Sequence, residues 1–359
     1  MSKLSNRDIY SFYSLVRLGF NYLRLNHYGF LPNRCLSALS YRYLRSFAMF
    51  VIALSIVCSL SSCNNATPLK EETSAAERFL EKISIKNSFN SYSDSTIFGL
   101  SEEEYANEFL NFIIDIQNDL YKDVSNLDTI MRGYLVAKTE IEKLLYQCDS
   151  VAGSGYRRFL YITVQCAEKV LYNTQSPCID EELYLPFAQH VVNSDYYPND
   201  IKLIYSEQIR LASKNRIGTV AQEIAPFLEL KRESEIENIE HEGDIQRLLL
   251  LYFYDPQCSS CFEYTKALLE SPVVNQLLRE KRLVILSLRD KSSKERLKIP
   301  EVFKDNWIDC RDSEGEIFES SEKYAIRAVP SFYLLNLADR RIILKDAPLG
   351  RIIRFFREI

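Results

Sequence analysis

Apolar residues recur at helical spacing from residue 73 to about residue 213. After Ser101-Glu-Glu-Glu104, which has capping-box spacing, come Tyr105, Phe109, Phe112, Ile113, Ile116 and Leu120 along one face. Ile130, Tyr134, Ala137, Ile141, Leu144 and Leu145 repeat the stripe, as do Phe159, Leu160, Thr163, Ala167, Val170 and Leu171. Gly153-Ser-Gly155 divides these two helices and Ser176-Pro177 closes the second. Shorter amphipathic stretches follow near 181–193 and 199–213. The pattern predicts an all-α domain over 73–215, and nothing in it looks catalytic.

The pattern changes after Gly218. Arg247–Tyr254 (RLLLLYFY) is a continuous apolar run between Gly243 and Pro256, as expected of a strand buried on both faces. The helical stretch FEYTKALLESPVVNQLLREK follows, then a strand at Leu283–Leu288, a helix near 293–304, a short strand at Trp307–Cys310 and a helix over about 316–325. The strand SFYLLN, the turn LADR, the strand RIILK and a helix at 350–358 end the chain. Strand–helix alternation closing in a hairpin and a helix predicts an α/β domain over 216–359, a central sheet with helices on both faces.

Composition adds an address. At 47% hydrophobic and 26% charged the chain is globular, with apolar material for one large core or two smaller ones. Nine cysteines in 359 residues are too sparse for a disulfide-stapled scaffold, and a net charge of −5 argues against a general nucleic-acid binder. The charge is uneven: residues 1–45 hold seven basic side chains against Asp8 alone, so +6 there leaves −11 on the rest. The fourteen uncharged residues Phe47–Leu60 suit a secretory h-region and are short for a membrane span. They run into Leu60-Ser61-Ser62-Cys63, which resembles the lipobox of bacterial lipoproteins.

That resemblance implies a leader and lipoprotein signal peptide over 1–62 and an acylated Cys63 opening a lipidated linker, 63–72. Acyl chains on Cys63 would anchor the protein to a lipid membrane, each buried methylene being worth about 0.8 kcal/mol. The absence of Asp just after Cys63 favours the outer membrane, so the expected location is the bacterial cell envelope, facing the periplasm. A buried core helix in a cytoplasmic protein is the alternative reading of Phe47–Cys63.

The candidate chemistry lies in Asp255-Pro-Gln-Cys258-Ser-Ser-Cys261, between the apolar strand and a helix. A cysteine at a helix N-terminus meets the helix dipole and unpaired backbone N–H groups, which favour the thiolate. Cys258 is therefore the candidate attacking thiol. Cys261, one turn on, is the candidate resolving thiol, giving a reversible dithiol–disulfide couple that needs no other cofactor and no metal. A Val329-Pro330 pair precedes a later strand, 72 residues beyond Cys258.

This constellation resembles the thioredoxin superfamily, and its spacing is similar to the TlpA/ResA-type envelope branch. Arg216-Ile-Gly218-Thr219-Val-Ala221 resembles the G-x-x-A opening of that branch. SPCIDEELYLPFAQHVV resembles the helical domain of unknown function that precedes a thioredoxin module in some envelope lipoproteins. The resemblance implies that Pro330 is a cis-proline placing the backbone of Val329 beside Cys258, where a substrate strand can pair with it. The chain departs from the family at Gln257, where a tryptophan is usual, and at Ser259-Ser260, where Gly-Pro is familiar. Tyr252 stands where a buried acid often assists proton transfer, which leaves Glu263 as a weak substitute.

The resulting expectation is an envelope thiol–disulfide oxidoreductase acting on protein thiols or disulfides. Its partner would be a membrane thiol electron transporter if it works as a reductase; no nucleic acid is expected. A non-catalytic thioredoxin-fold binding module is the alternative. A structural zinc site at Cys258/Cys261 is a third reading, though it lacks a second ligand pair. Cys148, Cys166 and Cys178 could pair in an oxidising compartment, while Cys166 and Cys310 read by default as inert buried thiols. His190 reads as filler, His241 as a loop residue, and Arg289–Arg296 as a solvated face.

Overall fold

The stripes at helical spacing become the buried faces of a helical layer. The computed structural model describes residues 73–85, 97–124, 126–224, 247–318 and 323–359. The leader, Phe47–Leu60, Cys63, the linker 63–72 and His241 lie outside the described residues. Those described belong to one compact unit, Thr73–Ile359. Its helical part comprises α1 (Ala75–Ile85), α2 (Glu102–Leu120), α3 (Leu127–Gly153), α4 (Arg158–Ala167), α5 (Glu181–Asn193) and α6 (Asn199–Ala212).

Ser101 caps α2 through the full reciprocal box, its hydroxyl accepting from the Glu104 N–H while the Glu104 carboxylate accepts from the Ser101 N–H. All six apolar residues of the α2 stripe are buried. A π-helical turn, Glu168–Tyr172, continues α4 and ends before Ser176-Pro177. His190 lies 3.1 Å from the Asp149 carboxylate.

The α/β part holds β1 (Leu248–Tyr254), α7 (Ser259–Glu270), α8 (Pro272–Arg279), β2 (Leu283–Arg289), β3 (Trp307–Arg311), β4 (Ser331–Asn336), β5 (Ile342–Lys345) and α9 (Leu349–Glu358). The five strands lie in the order β3-β2-β1-β4-β5, a mixed sheet with helices on both faces. β1 is parallel to β2 and antiparallel to β4. Its central place explains its unbroken apolar run, since both faces need cover. On one face Tyr252 stacks on Phe332 at 4.8 Å; on the other Phe253 meets Tyr324 and Tyr333. The 216–221 segment lies along β5, with Gly218 N–H donating to Ile342 and Ala221 N–H to Arg340. Gly218 has a φ of +82°, and a Cβ there would stand 2.9 Å from Met131 Sδ of α3, so glycine meets both a left-handed turn and a close approach.

The stretch after Cys261 is helical as expected and comes in two pieces, because Ser271 caps a second helix whose first residue, Pro272, has no N–H to satisfy. Three expectations are corrected. No α-helix forms near 293–304, where only Glu301–Phe303 makes a 3-10 turn. Leu297 and Ile299 pack on the core two residues apart, and Pro300 disfavours helical backbone at Ile299. Nor is the described part of 316–325 helical: the Asp312 carboxylate accepts from the N–H groups of Gly315, Ile317 and Phe318 and pins a loop. Finally, Arg289 is not part of a solvated face. Its side chain is 2% exposed and pairs with Asp309 at 2.6 Å.

The helical layer meets the sheet through buried charge. Asp180 caps α5 and accepts from the hydroxyls of Tyr121 and Tyr134 while pairing with Arg351 of α9. The next residue, Glu181, sits between Lys345 (2.6 Å) and Arg327 (2.7 Å). Burial alone would raise the Glu181 carboxyl; the two cations outweigh it and hold the group below its ordinary value. Asp346, 3.7 Å from Arg327, goes the other way: burial first, then the Glu181 charge, lifts it from 3.8 to about 6.

The Asp346 carboxyl is protonated in both folded and unfolded chains below pH about 4. From there to pH about 6 only the unfolded chain ionises, so this group's contribution to stability falls across that window and is level above it. Asp346→Asn, whose side chain tolerates the left-handed backbone there (φ +47°), removes the fall. Urea unfolding followed by the single tryptophan, Trp307, should show the variant gaining on the wild type by on the order of 2 kcal/mol between pH 4 and 7. Parallel pH profiles would contradict the assignment.

Candidate functional site

Strand direction assembles the site. β1 and β4 run antiparallel with Phe253 opposite Ser331, so the end of β1 and the beginning of β4 lie at one edge of the sheet. Asp255–Cys261 continues the chain directly from β1, and Val329–Pro330 leads directly into β4. The Asp255 carboxylate accepts from the Gln257 N–H and its carbonyl from the Cys258 N–H, turning the chain out of the strand and into α7.

Cys258 is the N-cap of α7, with extended backbone (φ −82°, ψ 120°). Its sulfur takes the place of the usual capping oxygen and accepts from the Cys261 N–H at 3.2 Å. Cys258 is half-buried and flanked by exposed Gln257, Ser259 and Ser260. Phe262, 66% exposed, adds an apolar surface beside it.

Cys261 is buried, and its thiol is hydrogen-bonded to Cys258. Burial, then that hydrogen bond, pushes the Cys261 thiol up to about 12. Tyr252 does not stand in for a missing acid at the sulfur. Its hydroxyl donates to the Cys261 carbonyl at 2.8 Å, where the Thr265 hydroxyl also donates. Glu263 is on the exposed face of α7.

The Val329–Pro330 peptide is cis, and the Cys258 thiol reaches the Val329 carbonyl at 3.8 Å. Cys258, Cys261, Val329 and Pro330 are therefore together, whereas Cys63 lies outside the described residues. No group of three or more His, Cys, Asp or Glu gathers at metal-binding spacing among the described residues. Cys148, Cys166 and Cys178 are buried free thiols, and Cys310 is buried. Burial raises Cys148 to about 12 and Cys166 to about 11.

Two features at this edge are missed by local sequence reading. Tyr254 donates to Asp309 at 2.7 Å, and Arg289 donates to the other oxygen of the same carboxylate. Tyr254 and Arg289 are register partners at the ends of β1 and β2, and burial raises the Asp309 carboxyl. The available signal for an inward polar residue was the place of Asp309 two positions after Trp307, on the same face of the strand. The second feature is Arg327, two residues before Val329, whose partners come from distant parts of the chain.

No protein-family model matches the chain, and no curated protein does. Among solved structures, a thioredoxin-like protein from Bacteroides caccae is similar over 82% of this chain and 96% of its own, at 21% identity and a TM-score of 0.54. The C-terminal domain of an uncharacterized protein from Bacteroides fragilis is similar over 41% of this chain and all of its own, at 26% identity and a TM-score of 0.30. The chain has a thioredoxin-like fold. Among the described residues no helix is long and apolar enough to cross a membrane.

The two thiols should differ sharply in reactivity. Brief iodoacetamide treatment of the reduced full chain at pH 8, read by peptide mass spectrometry, should modify Cys258 at least about tenfold faster than Cys261, which stays protonated there. Equal labelling of the pair would contradict this geometry.

Proposed function

We propose that the protein is a thiol–disulfide oxidoreductase of the bacterial cell envelope, working through Cys258 and Cys261 on protein substrates. The observation that carries the reading is the sulfur of half-buried Cys258, which accepts the Cys261 N–H at a helix start and lies 3.8 Å from the Val329 carbonyl. Developing negative charge on that sulfur faces a backbone donor and the positive end of α7.

In the reducing direction the Cys258 thiolate attacks one sulfur of a substrate disulfide. The substrate S–S bond breaks, a mixed disulfide forms, and the leaving thiolate takes up a proton. Cys261 then loses its proton and attacks Cys258 Sγ, releasing the second substrate thiol. The chain ends as the Cys258–Cys261 disulfide, two electrons having passed to the substrate; the oxidising direction is the reverse. The proton on Cys261 is held firmly by burial, and its outlet is water or the Asp255 carboxylate, whose charge acts on the same thiol.

The dithiol is the redox group, with no separate cofactor. A membrane thiol electron transporter would re-reduce the pair, and acylated Cys63 would hold the protein to the membrane, on the TlpA/ResA-type pattern. Purified full chain should accelerate insulin reduction by dithiothreitol. Cys261→Ser should retain a mixed disulfide with a disulfide-bonded peptide, visible on a non-reducing gel, and Cys258→Ser should retain none. Loss of neither activity nor trapping when both cysteines become serine would overturn the proposal; partners retained by that double variant would point to a binding module.

A further inference from the structure

Val329 and Pro330 sit on a loop, and a loop needs an anchor to present one carbonyl reproducibly. Lys323 O accepts from the Asn215 side chain, and the Tyr324 hydroxyl donates to Gln222 O. These holds come from the segment joining α6 to the sheet. The strongest hold is nearer the site. The Arg327 guanidinium lies 3.9 Å above the Tyr172 ring, donates to the Tyr172 carbonyl and pairs with Glu181 at 2.7 Å. Tyr172 ends the π-helical turn after α4, and Glu181 begins α5. On the other side of the cis bond, Ser331 is hydrogen-bonded to Asp346, itself 3.7 Å from Arg327.

We infer that the helical layer is a working part of the dithiol site: Tyr172 and Glu181 fix Arg327, and Arg327 positions the loop whose Val329 backbone receives the substrate strand. This deepens the oxidoreductase reading and rests on it. Arg327 touches no reacting atom; it is a positioning residue. A planar guanidinium satisfies the stack, the carbonyl and the carboxylate together, which a lysine ammonium cannot. The loop's register toward Cys258 is then set by residues more than 140 positions away in sequence, a distance the sheet itself does not bridge.

The consequence separates extended substrates from small reagents. A peptide that pairs with Val329 depends on where that backbone lies. A small alkylating agent at Cys258 depends on it far less, because the sulfur is capped by the Cys261 N–H of α7 and meets the loop only through its long contact to the Val329 carbonyl. The test uses the full chain, dithiothreitol as reductant, and a ten-residue disulfide-bonded peptide as substrate. Arg327→Met should raise KM for the peptide about tenfold with kcat within about threefold, while iodoacetamide labels Cys258 within about twofold of the wild-type rate.

Tyr172→Leu, which removes the platform and leaves every charge, should move KM in the same direction. Arg327→Lys, which keeps the ion pair and loses the stack, should fall between, and it serves if Arg327→Met does not fold. Folding is checked by Trp307 emission. Folded Tyr172→Leu and Arg327→Lys variants with wild-type KM would overturn the inference and leave the oxidoreductase reading standing. A wild-type chain whose Cys258 is alkylated but which turns over no peptide disulfide would instead overturn that reading, and this inference with it.

Discussion

Two neighbouring strands that run in opposite directions share an end, and here the candidate dithiol site lies there. β1 delivers Cys258 where it stops and β4 takes up the chain where Pro330 leaves off, because Phe253 lies opposite Ser331. Slipping that pairing by one residue would turn each side chain of β4 to the opposite face, unstacking Phe332 from Tyr252 and exposing apolar surface. The same packing that excludes such a slip therefore fixes the separation between the sulfur and the Val329 carbonyl. Burial of the central sheet and geometry of the site are one constraint.

Buried ions make the second constraint. Ionised side chains are costly to take out of water unless each finds a well-placed partner. Glu181 has two cations against it, Asp180 has Arg351 and two tyrosine hydroxyls, and Lys345 donates to the carbonyls of Ala212 and Lys214 while pairing with Glu181. Such an arrangement is directional in a way that apolar packing is not. The helical layer and the sheet meet in one orientation, and that orientation includes the loop leading to Pro330.

Local pattern carried much of this architecture. The stripe from Tyr105 to Leu120 and the run RLLLLYFY are buried as their periodicities require, and Ser101 closes its box as its spacing indicates. The pattern failed where a neighbour distant in sequence decides. Arg289 reads as one charge among several, and only its register beside Asp309 shows why it is buried. Glu181 reads as an ordinary acid in a first helical turn. The stretch near 293–304 has helix-forming residues but no continuous apolar face. For the site, the spacing of Cys258 and Cys261 was legible in the residues themselves, whereas their closeness to Val329 was reached only through the family resemblance, because it depends on a pairing across some seventy residues of chain.

The doubly bonded Cys261 carbonyl has one more implication. Tyr252, rooted in the sheet, and Thr265, one turn further along the helix, both clasp that oxygen. The first turn of α7 is thereby riveted to the strand beneath it. On the proposed chemistry, closing and opening the sulfur–sulfur bond is then a matter of swivelling two side chains above a stationary backbone. A visiting protein would meet the same contour before and after the electrons move, and would have to sense the difference at the sulfurs alone.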